Sequence, residues 1–286
     1  MADSQIPTEE THMIKGRFKT CQRFKSVLND PAVAFPDVFL NPSLSISNLD
    51  RFYIRSSILN ALLSQKKHLK GILLDVGCGQ MPYKRLLVAP QGNATRYIGL
   101  DLDNNPIHDN QPDICWENSS IPLENDTVDC ALCTEVLEHC PDPVAVLREV
   151  SRVLKPGGML FFTAPFLWPL HEVPYDYYRY TPFALRHHLQ NSGFYQIELH
   201  ATGGWDASLA QMLGLWVRRR PMGRLPKTLL SGLVYPFYWW LVRRDRLVRV
   251  RFEEQDMLTG LWGTAVKQVR PEGLKRSPSD EESHHA

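Results

Sequence analysis

A doubly wound α/β domain is what this 286-residue sequence predicts, with a helical insertion late in the chain. Three observations carry that expectation. Short apolar runs alternate with helix-like segments from about residue 48 to Gly193, an order that implies parallel strands joined by right-handed crossovers. The run GILLDV, residues 71–76, breaks into Gly77-Cys78-Gly79, as a buried strand does when its backbone must turn sharply beneath a ligand. After Gly193 two strand-like runs, FYQIELHAT and MLTGLWGTAVKQV, have no ordinary crossover between them, which suits antiparallel pairing around an insertion at about 203–255.

Taken in order, NLDRFYIRSSILNALLSQKKHLK (48–70) has apolar residues at helical spacing and a basic end, so it predicts a helix ahead of the first strand. Strand GILLDV precedes a helix-like PYKRLLV, and strand RYIGLDL precedes a loop. Strand DCALCTE feeds the helix PVAVLREVSRVL, and strand GMLFFTAP feeds the helix PFALRHHLQNSG. Residues 1–47 form an N-terminal extension whose first 15 residues are polar, and 269–286 form a polar tail; both are expected to lack fixed structure in whole or part. The domain proper is placed at 48–268.

The composition, 43% hydrophobic and 22% charged with a formal charge of +1, is that of an ordinary globular protein and offers no overall field for nucleic acid. The N-terminus lacks the apolar core of a signal peptide, and no run reaches the length of a membrane span, so the expected address is cytoplasmic. Six cysteines lack the density of a disulfide scaffold and fit a reducing compartment. Cys130 and Cys133 form a CxxC inside the strand-like VDCALC, where alternation sends the two thiols to opposite faces, so they are read as packing residues.

Gly77 and Gly79 allow close backbone approach, and the start of the next helix is expected to add unpaired amides beside them. A dinucleotide fingerprint would want a third glycine where Pro82 stands, which weakens an NAD-type oxidoreductase reading. Asp101 closes the second strand 24 residues past Gly77, where a carboxylate accepts hydrogen bonds from ribose hydroxyls. A nucleoside ligand follows.

The marks DVGCG, IPLENDTVD, EVLEH and VLKPGG, with the apolar strand after the last, resemble the class I S-adenosylmethionine-dependent methyltransferases, in particular the group related to quinone-biosynthesis methyltransferases. The resemblance covers about residues 50–268. It implies a Rossmann-like seven-stranded sheet, mostly parallel with an antiparallel last strand, and S-adenosyl-L-methionine as cofactor. It assigns Asp75, Gly77 and Gly79 to the first cofactor motif and Asp101 to the ribose. Glu117, twelve residues before Asp129, stands where the family places an acid for the adenine amino group, with Asn118 giving its backbone and Asp113 as a rival. The family often has a glycine at the position of Met81, so a different turn is expected there. A noncatalytic protein that keeps the fold is the rival from another class.

Transfer to oxygen or carbon needs help with the acceptor's proton, and the candidates lie in two places. Glu135, Glu138 and His139 of EVLEH end the fourth strand; in some relatives such a run holds a divalent metal, but a metal-free site is the expectation here, with Glu138 and His139 as catalytic candidates. The loop HEVPYDYYRYTPF (171–183) offers His171 as a general base, Tyr175 and Tyr178 as pocket walls, and Arg179 either as an anion partner for the acceptor or as a partner of Asp176 or a backbone carbonyl. Between Trp216 and Arg251 ten Lys or Arg face one acid and flank the apolar LLSGLVYPFYWWLV, which Pro236 is expected to interrupt. That composition suits a peripheral membrane contact and a lipid-linked acceptor, or else packing on protein.

Overall fold

The structure, a computed structural model, describes residues 38–102, 112–116, 120–245 and 250–269. The expectations for residues 1–15, for nearly all of the 269–286 tail, for Cys21, and for Glu117 and Asn118 lie outside the described residues.

Helix α1 (Phe52–Gln65) leads into β1 (Lys70–Val76), followed by the single turn α2 (Lys84–Leu87) and β2 (Asn93–Leu102). A three-residue strand β3 (Ile114–Trp116), in a stretch read as loop, precedes β4 (Val128–Thr134), α3 (Pro143–Val153), β5 (Leu154–Pro165), α4 (Pro182–Asn191) and β6 (Phe194–Ala201). Helices α5 (Trp205–Arg219) and α6 (Arg224–Asp245) fill the insertion, and β7 (Gly260–Lys267) closes the sheet. The strand order is β3-β2-β1-β4-β5-β7-β6. Strands β1 to β5 pair in parallel, whereas β7 runs antiparallel to both β5 and β6.

Alternation along the strands sorts side chains into two cores. Leu73, Cys130, Leu132 and Phe161 face α1, while Leu74, Ala131, Cys133 and Phe162 face the side covered by α3 and α4. Cys130 and Cys133 thus lie on opposite faces, both buried and free, as a strand reading of VDCALC requires. Helices α3 and α4 start in the way their sequences announce: Asp142 and Thr181 accept from the amides of Ala145 and Ala184, and each is followed by a proline in the first turn.

Two local expectations are corrected. The helix after the glycines is a single turn, so it supplies no dipole of consequence, and the amides of Gly77, Cys78, Gly79 and Met81 all have acceptors. Met81 takes φ +53°, the left-handed conformation that glycine would favour, and its thioether fills the space left by the missing side chain of Gly99. In the insertion, α6 runs unbroken through Pro236. Proline removes the bond to the carbonyl of Gly232, but both residues lie on the exposed side, where water can satisfy that oxygen.

Candidate functional site

The carboxyl ends of β1, β2 and β4 open onto a cavity of about 2150 Å³ lined by Asp75, Gly77, Gly79, Asp101, Glu135, His139 and His171, among others. Sheet topology explains the convergence, since parallel strands deliver all their following loops to one edge.

At the β1 end, the amides of Gly77 and Cys78 donate to the carbonyl of Leu100 at 2.8 and 3.0 Å, folding the loop back over β2. Asp101 then accepts from Gly79 N at 2.8 Å, so the carboxylate that is the ribose candidate also fastens the glycine turn. The two glycines differ in what they permit. A Cβ on Gly77 (φ +66°) would stand 2.5 Å from Val136 Cγ2, whereas one on Gly79 (φ +48°) would meet no atom within 4 Å and would project into open space. Gly77 is therefore needed for packing, and Gly79 keeps the floor of the cavity clear. Asp75 is buried, accepts from the Tyr97 hydroxyl, and leaves Oδ1 without a partner; burial pushes its carboxyl up to about 7. An orphaned acid oxygen beside a cleared backbone turn and a second acid at the next strand end fits a ligand carrying an ammonium group and a ribose, as the methionyl and nucleoside parts of S-adenosylmethionine do.

At the β4 end, Glu135 sits just past the strand at φ +56° and accepts from Thr163 Oγ1 on β5 at 2.8 Å. The short turn Leu137–His139 follows. Glu138 is fully buried, and neither carboxylate oxygen meets a hydrogen-bond donor of another residue. Burial, then the neighbouring Glu135, pushes its carboxyl well above the usual range. His139 Nδ1 lies 2.9 Å from the carbonyl of Tyr175, so Nδ1 carries a proton, and Nε2 faces Glu138 Oε1 at 3.8 Å and Glu172 Oε2 at 3.6 Å.

The loop after β5 brings His171 against this group, its ring 4.7 Å from that of His139 in an edge-to-face arrangement. Asp176 Oδ2 lies 3.2 Å from His171 Nδ1 and accepts from the His171 amide at 3.1 Å. Arg179 clamps the same carboxylate with bonds of 2.6 and 2.8 Å, which holds the Asp176 carboxyl well below its usual range. Burial, partly opposed by Asp176, lowers His171 below the ordinary histidine value and keeps it neutral, able to accept a proton at Nε2.

Placement of the sequence candidates is uneven. His139, His171 and Tyr175 line the cavity. Glu138 stands behind His139 rather than on the wall, because the turn after β4 points it into the core. Of the two expectations for Arg179, the geometry has loop closure: the guanidinium also donates to the carbonyls of Tyr178, Trp168 and Pro169 and does not line the cavity. Tyr178 likewise lies off the wall and donates to the carbonyl of Pro141 at 2.9 Å. Sequence reading missed the His171–Asp176 pair, Glu172 beside His139, and the lining residues Arg55 of α1 and Arg219 of α5. The aspartate five residues after the histidine was a legible signal; the two arginines, far away along the chain, gave none.

Glu138, His139 and His171 each offer a ligand atom within 4.8 Å of the others. The expectation of a metal-free site meets here a set of ligands with an orphaned buried carboxylate, and the set fits a divalent cation. Imidazole and oxygen donors of this kind would hold it and supply Lewis-acid polarisation of an acceptor oxygen.

Residues 74–162 match the family described as a methyltransferase domain. The chain is 35% identical over 101 residues to an uncharacterized 37.1 kDa protein in a transposon of Streptomyces fradiae, covering 32% of this chain and 29% of that protein. It is 34% identical over 104 residues to the ubiquinone biosynthesis O-methyltransferase of Colwellia psychrerythraea, covering 32% of this chain and 40% of the relative. Both matches thus span less than half of the relative's length. A solved S-adenosylmethionine-dependent methyltransferase of Archaeoglobus fulgidus is similar at 14% identity with a TM-score of 0.46, covering 75% of this chain and 93% of that one.

Proposed function

We propose, for a chain that carries a class I S-adenosylmethionine-dependent methyltransferase domain, that it moves a methyl group to an oxygen, nitrogen or carbon of a small-molecule or lipid-linked acceptor. The domain is taken as 48–268 with 203–255 inserted. The observation that carries the reading is that the glycine turn with Asp75 and Asp101, and the His139–His171 pair, open onto one cavity.

Bound cofactor supplies an electrophilic methyl on a sulfonium. Held by Asp75, Asp101 and the glycine turn, it would give that methyl to the acceptor's lone pair, with the electrons of the carbon–sulfur bond retained on a neutral thioether. Positioning of the two reactants lowers much of such a barrier, by roughly 7 to 11 kcal/mol at best. Asp101 and the glycine turn hold one reactant, Tyr175 and the 171–183 loop wall the other, and His171, held by Asp176, takes the acceptor's proton at Nε2. Glu117 and Asn118 remain candidates for the adenine.

A second reading is favoured by the unpaired oxygens of Glu138: Glu138, His139 and His171 hold a divalent cation that orients an acceptor oxygen. The cytoplasmic setting rests on the sequence composition alone, because Cys115 is disulfide-bonded beside the four free cysteines Cys78, Cys130, Cys133 and Cys140, and the basic and apolar makeup of 216–251 supports peripheral contact with a membrane rather than passage through it. No helix among the described residues is long and apolar enough to cross one. Incubating cell lysates with the protein and isotopically methyl-labelled cofactor, then seeking labelled products by mass spectrometry, tests the reading. A labelled small molecule absent from a Gly79→Val control supports it, and cofactor binding with no labelled product points to the noncatalytic alternative.

A further inference from the structure

The insertion has an inner face with an evident task and an outer face with none. Inside, Ala207 and Ala210 of α5 and Tyr238, Leu241 and Val242 of α6 pack on Leu49 and Tyr53. Buried Asp245 accepts from Tyr53 Oη at 2.8 Å and from the amides of Gly204 and Ala207 at 2.9 and 3.0 Å, tying the end of α6 to the start of α5 and to α1. The two helices are therefore fixed to the domain.

Outside, α6 presents Leu225, Leu229, Leu233, Phe237 and Trp240 at spacings of four, four, four and three, a single helical stripe. Leu229 and Leu233 are 67% and 77% exposed, values that packing within one chain does not leave on a regular apolar stripe. On α5, Trp205, Leu209, Met212 and Trp216 form a second exposed stripe. The stripes adjoin where Arg244, stacked over Trp240 at 4.8 Å, pairs with Asp206 of α5 at 3.0 Å. Arginines border them elsewhere too, with Arg220 over Trp216 at 4.2 Å and Arg243 over Trp239 at 4.1 Å. Between Trp205 and Asp245 seven basic residues stand against two acids; Arg244 is paired with Asp206 and Arg219 with Asp50, so the basic excess comes from Arg218, Arg220, Arg224, Lys227 and Arg243.

We propose that the outer faces of α5 and α6 dock flat on an anionic lipid surface, with the leucine and aromatic stripes in the acyl boundary and the arginines at the headgroups. Charge selects this occupant over a second copy, since two such faces opposed would set one arginine border against another. At 22 residues α6 is about 33 Å long, but its basic ends and its packing on the domain keep it in the interface plane. Arg219, in the last turn of α5, also lines the cavity, so docking sets the cavity mouth near the lipid; the choice of an amphiphilic acceptor that follows rests on the methyl-transfer reading, whereas the docking does not.

Co-sedimentation of the full chain with phosphatidylserine–phosphatidylcholine vesicles tests it, beside pure phosphatidylcholine vesicles and beside calorimetry of cofactor binding in the same preparations. Binding should require phosphatidylserine and weaken at high salt. Arg220→Glu with Arg243→Glu should lower the partition coefficient by about thirtyfold or more. Leu229→Asp with Leu233→Asp, at exposed positions, should lower it by at least about a hundredfold. Unchanged cofactor binding in both variants shows that they fold. Absence of wild-type binding at low salt, or vesicle binding by the leucine variant equal to wild type, overturns the proposal. So does a wild-type dimer in light scattering that the leucine variant converts to monomer, which would give the face to a second copy.

Discussion

Replacing Glu138 with Gln should weaken a pH dependence of stability that the ligand-free protein owes to this group together with its neighbour Glu135. The side chain is fully buried, its two oxygens lack donors, and Glu135 lies close, so its folded pKa stands above the unfolded value of about 4.3. A carboxyl raised in this way contributes stability that is fully present below the unfolded pKa and is lost as pH rises through the folded one. For one proton the slope is at most about 1.4 kcal/mol per pH unit. In a domain of this size each kcal/mol moves the melting temperature by about 2 to 4 °C, so an interval of one unit is measurable. His171 has the opposite sign: its lowered pKa contributes stability present above about 6.5 and lost as pH falls, so the two groups separate by direction. The assay is urea unfolding in EDTA from pH 4 upward, wild type against Glu138→Gln, repeated with magnesium, manganese or zinc. In EDTA the wild type should lose stability relative to the variant as pH rises. With a bound cation the wild type alone should gain, and more so at higher pH, because the ion favours the ionised carboxylate. Parallel pH profiles in EDTA would refute the reasoning, for they would mean that Glu138 is solvated or paired in the folded protein. A wild type that ignores every cation would remove the metal reading alone.

Gly79→Val should bind cofactor weakly, since its side chain would enter the cleared floor of the cavity, and should lose only about 1 to 2 kcal/mol of stability from a side chain held in the left-handed region, whereas Gly77→Val carries the same strain with its Cβ also against Val136 and should melt further below wild type; circular dichroism melts and calorimetry separate the two. Arg179→Ala should cost about 2 kcal/mol or more by leaving the Asp176 carboxylate, 2% exposed, with a weaker set of donors, and it should raise KM for the acceptor through loss of loop order rather than through lost contact.

The strands that build the cofactor edge were legible because they are buried on both faces. GILLDV, DCALCTE and GMLFFTAP are nearly continuous apolar runs, and Asp75 and Asp101 mark where two strands reach the edge. Strand β3 was not, since Ile114–Trp116 is too short to show a period and stands among polar residues. The helical turn after the glycines was overestimated from its leucines, which pack against the sheet without needing a longer helix. Pro236 misled for the opposite reason: a proline breaks a helix when the bond it removes must be replaced inside the protein, and here it faces water. At the site, residue types were readable and partnerships were not. Nothing in EVLEH says that Glu138 turns inward while His139 turns to the cavity; a left-handed residue at Glu135 sets that, in a sequence with no glycine to announce it.

Titration of the purified protein with S-adenosylmethionine by calorimetry, in wild type and Asp101→Ala, tests the central claim most directly. The account predicts binding by the wild type at one site and a loss of tenfold or more in the variant, from charge-assisted bonds worth about 1.5 to 3 kcal/mol each and from release of the Gly79 amide that Asp101 holds. Absence of wild-type binding, or wild-type affinity in Asp101→Ala and Gly79→Val alike, would contradict it.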